Sequence, residues 1–117
     1  MSEQEILDGN KLIAEFMGAK YNSKLDLVNL GANHKLVGIN ELQYHSSWDW
    51  IMPVVDKIRK TGKIVLIEFH DEEVVCQIRH TWESLVADFG GSSNNQIDAT
   101  YTAVVEFIKW HNKQQGK

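Results

Sequence analysis

Residues 63 to 82 read Lys63-Ile64-Val65-Leu66-Ile67-Glu68-Phe69-His70-Asp71-Glu72-Glu73-Val74-Val75-Cys76-Gln77-Ile78-Arg79-His80-Thr81-Trp82. Two runs rich in β-branched residues, 63–70 and 74–82, flank the acidic turn Asp71-Glu72-Glu73, so they read as the strands of a hairpin. The register follows from the faces it creates, because a one-residue slip exchanges them. With an even-numbered loop, Val65, Ile67 and Phe69 share a face with Val74, Cys76, Ile78, His80 and Trp82, which is a core face. The other face then carries Ile64, Leu66, Glu68 and His70 beside Val75, Gln77, Arg79 and Thr81, and is half polar. An odd-numbered loop mixes the two sets. Residues 84–89 supply a third strand, with Leu85, Ala87 and Phe89 alternating against Val86 and Asp88, and Gly90-Gly91-Ser92-Ser93-Asn94 ends it. A meander of three antiparallel strands over 63–89 is expected.

Helices follow on either side. Asn95 and Asp98 give N-cap signals for a C-terminal helix whose stripe is Ile97, Tyr101, Val104, Val105 and Ile108. Phe107 and Trp110 fall beside that stripe, a wider apolar surface than one sheet needs, and so are candidates for contact with another element or another subunit. Upstream of the hairpin, Ser46 and Asp49 have capping-box spacing, Ile51, Val54, Val55 and Ile58 form a stripe, and Gly62 follows Arg59 and Lys60. Pro53 clashes with the carbonyl four residues back, so this helix either starts near Asp49 or kinks. Leu12, Ile13, Phe16 and Met17 mark a first helix that ends at Gly18, with an upstream start available at Ser2 and Glu5 completing a capping box. Between them, Leu25, Leu27 and Leu36 to Ile39 make either a hairpin over 24–39, about Gly31-Ala32-Asn33, or loop. The fold class is α+β: a small, mostly antiparallel sheet packed with about three helices, in a single domain over 1–117.

The 117 residues, 43% of them apolar with one proline, suffice for one core and show no repeat or linker. Twelve Lys and Arg against 16 Asp and Glu give a net charge of −4, with neither sign in a block, which argues against non-specific nucleic-acid binding. Cys76 is the single cysteine, so a disulfide within the chain and a cysteine-based zinc site are both excluded, and a buried thiol in a reducing compartment is expected. The opening Met1-Ser2-Glu3-Gln4-Glu5 is polar and acidic, and no run approaches the ~20 apolar residues of a membrane span. Neither secretion nor membrane insertion is expected.

Residues 44–58, Tyr44-His45-Ser46-Ser47-Trp48-Asp49-Trp50-Ile51-Met52-Pro53-Val54-Val55-Asp56-Lys57-Ile58, hold two of the four tryptophans and the only proline. Together with Asn10-Lys11-Leu12-Ile13-Ala14-Glu15-Phe16-Met17-Gly18 and Ala103-Val104-Val105-Glu106-Phe107-Ile108-Lys109-Trp110-His111-Asn112, they resemble segments of small phage and prophage proteins. The order of elements is similar to that of the phage ABA sandwich domain, in which helices pack on a small sheet. The resemblance covers about a third of the chain and leaves 19–43 and 63–93 without a counterpart. It implies a phage origin and a fold, with no catalytic motif attached.

Several groups are candidates for chemistry. Trp48 and Trp50 straddle Asp49 and, on a helix, point roughly 200° apart. They make either an aromatic platform for a base-like ligand or anchors in the core or at a subunit interface. His45, just before the helix N-terminus, lies either where an anion would be received or in an ordinary hydrogen-bonded loop. Glu68 and His70 project from one strand with Gln77 and Arg79 across from them, an acid–base pair or else a solvated polar ladder. Ser92 and Ser93, between strand and helix, offer backbone donors to a phosphate, although no lysine follows the glycines as in a P-loop. His80 among apolar neighbours reads as a core histidine. No metal site and no cofactor is indicated.

These readings favour a phage-type, non-enzymatic binding protein, homo-oligomeric, in the host cytoplasm. The specific expectation is an anti-defence factor that sequesters a nucleotide-like immune signal between subunits or masks a host defence protein. The alternatives are a phage structural or assembly accessory, and a small hydrolase using Glu68 and His70.

Overall fold

The computed structural model describes residues 2–22, 24–25, 27–29, 36–79 and 95–114, together with the backbone of 89–93. In chain order the elements are α1 (Glu3–Phe16), β1 (Lys20–Asn22), β2 (Leu27–Asn29), β3 (Leu36–Gly38), a 3-10 turn (Ile39–Glu41), α2 (Trp48–Lys60), β4 (Ile64–Phe69), β5 (Val74–Arg79), β6 (Phe89–Ser93) and α3 (Gln96–Gln114). The class is α+β, as expected. The strands form two antiparallel sheets, ordered β1-β2-β3 and β4-β5-β6. The hairpin alternative for 24–39 therefore holds, with Val28 opposite Val37, and β1 extends it to three strands.

Local chemistry explains where the helices begin and end. Ser2 Oγ accepts the Glu5 backbone N–H at 3.2 Å and donates to the Glu5 carboxylate, which starts α1 at the early of its two possible positions. At its end, Gly18 takes φ 92°, and the N–H groups of Gly18 and Ala19 return to the carbonyls of Glu15 and Ala14, a Schellman closure that needs a left-handed residue. Asn95 Oδ1 caps α3 by accepting from the N–H of Ile97 at 3.0 Å and of Asp98 at 3.4 Å.

The start of α2 differs from the sequence reading. Ser47, not Ser46, is the N-cap, and its side chain makes no capping bond. Ser46 belongs to the preceding turn, where the N–H groups of Ser46 and Ser47 both donate to the Gln43 carbonyl. Pro53 lies inside the helix, which continues through it to Lys60.

The β4–β5 register is the even-loop one, pairing Val65 with Ile78, Ile67 with Cys76 and Phe69 with Val74. Val74, Cys76 and Ile78 are buried beneath α3, but the core face fades toward its edge: Val65 and Ile67 are half-buried and Phe69 is 65% exposed. The third strand lies later than expected. It is Phe89–Ser93, so the glycine pair expected to break the strand lies within it, Gly90 opposite Gln77 and Gly91 opposite Cys76. Glycine in a strand permits close approach of another backbone, and α3 packs closely along β6. Residues 84–88, His80 and Trp82 lie outside the described residues.

One buried cluster joins both sheets and all three helices, including Ile13, Val28, Leu42, Ile51, Ile58, Ile78, Tyr101 and Phe107. The α2 stripe of Ile51, Val54, Val55 and Ile58 is buried throughout. Helices α1 and α3 meet at Gly9, where an added Cβ would lie 2.2 Å from Tyr101 Oη. That hydroxyl donates to the Ile6 carbonyl at 3.0 Å, and burial, reinforced by the Asp8 charge, pushes its pKa well above the usual tyrosine value. Among the described residues, no helix is long and apolar enough to cross a membrane.

Candidate binding groove

The residues singled out from sequence are not all gathered into one site, although His45 and Trp50 line one open cavity of about 510 Å³ with Val37, Leu42 and Ser46. Glu68 and His70 do meet, with His70 Nε2 3.2 Å from Glu68 Oε2, but in the open: their side chains are 47% and 52% exposed. The register also moves Gln77 and Arg79 away from them. Glu68 faces Val75, while Gln77 faces Leu66 and Arg79 faces Ile64, and Arg79 donates to the Gln77 side-chain oxygen instead. The cross-strand tetrad expected from the sequence is therefore two separate same-strand pairs. Alternation along one strand puts Glu68 and His70 on one face, but the cross-strand offset carries Gln77 and Arg79 to the other end of β4.

His45 is held in its loop. Its Nδ1 lies within hydrogen-bond distance of the Asn10 side-chain amide, 3.0 Å from Nδ2. Asn10 is fully buried and donates from the same nitrogen to the Leu42 carbonyl at 3.2 Å, so the pair ties α1 to the segment before α2. Trp50 meets Tyr44 edge-on, with centroids 5.1 Å apart, and Trp48 packs against the core. Both tryptophans are half-buried. Burial raises the Tyr44 pKa. Ser92 and Ser93 belong to β6, paired with Val75 and Val74, rather than to a loop at a helix N-terminus. Phe107 is wholly buried within the chain, between Phe16, Trp110 and His111, and so cannot reach another subunit in this fold. Trp110, half-buried, lies beside it with Lys63 Nζ 5.7 Å from its ring centre.

Cys76 is fully buried on β5 under α3. Desolvation pushes its thiol up to about 11 despite an opposing hydrogen bond with Thr100. Among the described residues, no three of His, Cys, Asp and Glu stand close enough together to hold a metal ion.

Another surface feature lies where α2 passes beside β4. A groove of about 1060 Å³ opens there. Its apolar lining is Met52, Pro53, Val55, Ile64, Val65 and Ile67, and its rim carries Arg59, Lys60 and Lys63 with the single carboxylate Asp56. Asp56 reaches Lys60 at 3.0 Å and Arg59 at 3.5 Å, so two of the three rim cations share this acid. These basic residues fall there because the last turn of a helix favours cations. The groove stays open because β4 is an edge strand whose half-buried face extends beyond the cover of α3.

Sequence reasoning missed this groove. The signal available was the unbroken apolar run Ile64 to Ile67, which marks a strand apolar on both faces, next to the cations that close α2. Compared with models of known protein families, with curated proteins and with solved structures, the chain matches none.

Proposed function

We propose that this chain is a non-enzymatic binding protein whose α2–β4 groove receives an extended polypeptide segment bearing an aromatic side chain and acidic residues. The observation that carries this reading is the groove itself, an apolar floor with three cations on its rim and one acid among them. An aromatic ring on that floor gains burial, and carboxylates beside it meet charge of opposite sign. Among the described residues no strand pairs with the outer edge of β4, and that edge adds main-chain donors and acceptors, the means by which sheets capture extended peptides.

The geometry favours a polypeptide over a nucleotide. Trp48 and Trp50, the candidate stacking platform, pack against the core, and Ser92 and Ser93 lie within a strand. In the phage setting suggested by the resemblance at 44–58 and 103–112, this function amounts to masking a host defence protein. The hydrolase alternative finds less support, because Glu68 and His70 form a two-member pair on an open surface. The test is titration with a fluorescently labelled peptide carrying one phenylalanine followed by three acidic residues. Saturable binding that Lys63→Glu weakens by about tenfold is the expected result; no binding at millimolar peptide overturns the reading.

A further inference from the structure

The outer edge of β4 carries a specific pattern. The His70 N–H donates to the Glu73 carbonyl at 2.8 Å, and in an antiparallel ladder bonded pairs alternate with unbonded ones. Pairs 68–75, 66–77 and 64–79 therefore exchange bonds with β5, and the backbone groups of Val65, Ile67 and Phe69 point away from it. Among the described residues, no strand lies along that side. The same three side chains lie on the helix side of the sheet, in line with Val74, Cys76 and Ile78. Phe69, at the end of the series, is 65% exposed, and Met52 in the groove is 44% exposed.

The chain itself contains a segment with the chemistry the groove calls for: Phe69 followed by His70, Asp71, Glu72 and Glu73 at the exposed hairpin tip. We infer that the resident occupant of the groove is a second copy of this chain, paired antiparallel through β4 about a two-fold axis at Ile67; this rests on the groove reading above.

The register is constrained. Directly opposed residues must both point their backbone groups outward and place their side chains on the same face, so odd positions of one copy face odd positions of the other. Centring the axis on Ile67 sets Val65 opposite Phe69 and Lys63 opposite Asp71, twice by symmetry. Each Phe69 then covers the Val65 end of the other copy's groove, the end at which α2 turns into β4. Each acidic tip comes to the basic rim of Lys60 and Lys63. The two three-stranded sheets become one continuous sheet, and an exposed apolar edge is removed from solvent. One arrangement thus accounts for the bare strand edge, the exposed Phe69 and the opposite charges at the two ends of β4.

Light scattering and sedimentation on the full chain test this inference. The wild-type protein should be a dimer at micromolar concentration. Phe69→Ser, at a position already exposed in the single chain, should raise the dissociation constant at least about tenfold with an unchanged circular dichroism spectrum. Lys63→Glu and Asp71→Lys should each weaken dimerisation, and the two together should restore it. The acidic phenylalanine peptide should dissociate the wild-type dimer. A monomer at ~100 µM that still binds the peptide overturns self-association and leaves the groove reading standing. A dimer indifferent to Phe69→Ser and Lys63→Glu also overturns the inference, and a monomer that binds no peptide overturns both.

Discussion

Replacing Gly9 by alanine should destabilise the protein, although helix propensity alone predicts the opposite. In a helix interior alanine is favoured over glycine by about 1 kcal/mol. At Gly9, however, the new Cβ would stand 2.2 Å from Tyr101 Oη, 3.0 Å from Tyr101 Cζ and 3.3 Å from a methyl of Val105. Ordinary contact is near 3.4 Å, so more than an ångström must be opened between α1 and α3. Tyr101 is 1% exposed and its ring is held in the core, so the hydroxyl cannot simply swing into solvent. Overpacking costs ~1–3 kcal/mol, and displacing the hydroxyl from the Ile6 carbonyl costs a further ~1–3 kcal/mol if it is left buried without a partner. Set against the propensity gain, the net loss should be about 1–5 kcal/mol. Urea unfolding followed by tryptophan fluorescence measures it, and Tyr101→Phe supplies the control. Without the hydroxyl the closest contact becomes the 3.0 Å one, so Gly9→Ala should cost at least ~1 kcal/mol less in the Tyr101→Phe background. If Gly9→Ala raises the stability, or if the two substitutions are additive, the close approach of α1 and α3 at this point is refuted.

The buried thiol gives a pH dependence. Burial pushes the Cys76 thiol from its ordinary value of 9.0 up to about 11, so folding favours the protonated thiol, and the stabilisation is full below pH ~9 and falls away as pH rises toward 11. At ~1.4 kcal/mol per unit, about 2–3 kcal/mol should be lost, and Cys76→Ala should flatten this part of a stability profile measured by urea unfolding from pH 8 to 11. Pro53→Ala should restore an N–H able to bond the Asp49 carbonyl, stabilising the protein by ~1–2 kcal/mol in thermal unfolding after the entropy lost from the unfolded-state restriction is counted. Asn95→Ala should cost about 1 kcal/mol in the same assay, because two backbone donors of α3 lose their acceptor. Replacing both Glu68 and His70 by alanine should change stability by less than about 1 kcal/mol, since the pair is exposed.

What could be read from the sequence was set by local chemistry and strict periodicity. The register of β4 and β5 followed from which side chains share a face, and the C-terminal stops at Gly18 and Gly62 followed from the left-handed conformation each adopts. The α3 cap at Asn95 and the α2 stripe were equally visible. Where two signals compete within a few residues, the sequence does not decide between them. Ser46 and Ser47 are both capable caps; the turn in which both N–H groups donate to the Gln43 carbonyl ends at Ser47, and the helix starts after it. Gly90 and Gly91 have the composition of a breaker, yet packing against α3 makes a strand of them. Phe107 looked surplus because a helical stripe shows its own width but not that of its neighbours. Phe16 and His111 supply the missing partners, and neither is placed beside Phe107 by any sequence rule.

The same limit explains why unusual residues were a poor guide to the candidate site. Two tryptophans, a tyrosine and a histidine crowd residues 44–50, and rarity suggested function. Bulky aromatic and amide-bonded groups are also what fixes a short loop and a helix start to a core, and here Tyr44 meets Trp50 while His45 meets Asn10. The groove holds none of these aromatic residues: it is lined by valine, isoleucine, lysine and arginine with Met52, Pro53 and Asp56. Its character lies in what is missing around them. A strand with apolar residues on both faces requires cover on both, and β4 at the edge of its sheet has helix cover that thins from Ile67 to Phe69. Edge strands of this kind usually carry charge or proline that discourages pairing. In β4 the inward-facing series Val65, Ile67 and Phe69 has neither, and the charges are placed beyond its two ends with opposite sign. Charge in that position leaves the edge free to pair and specifies the direction in which it pairs, because an antiparallel partner brings unlike ends together and a parallel one brings like ends together.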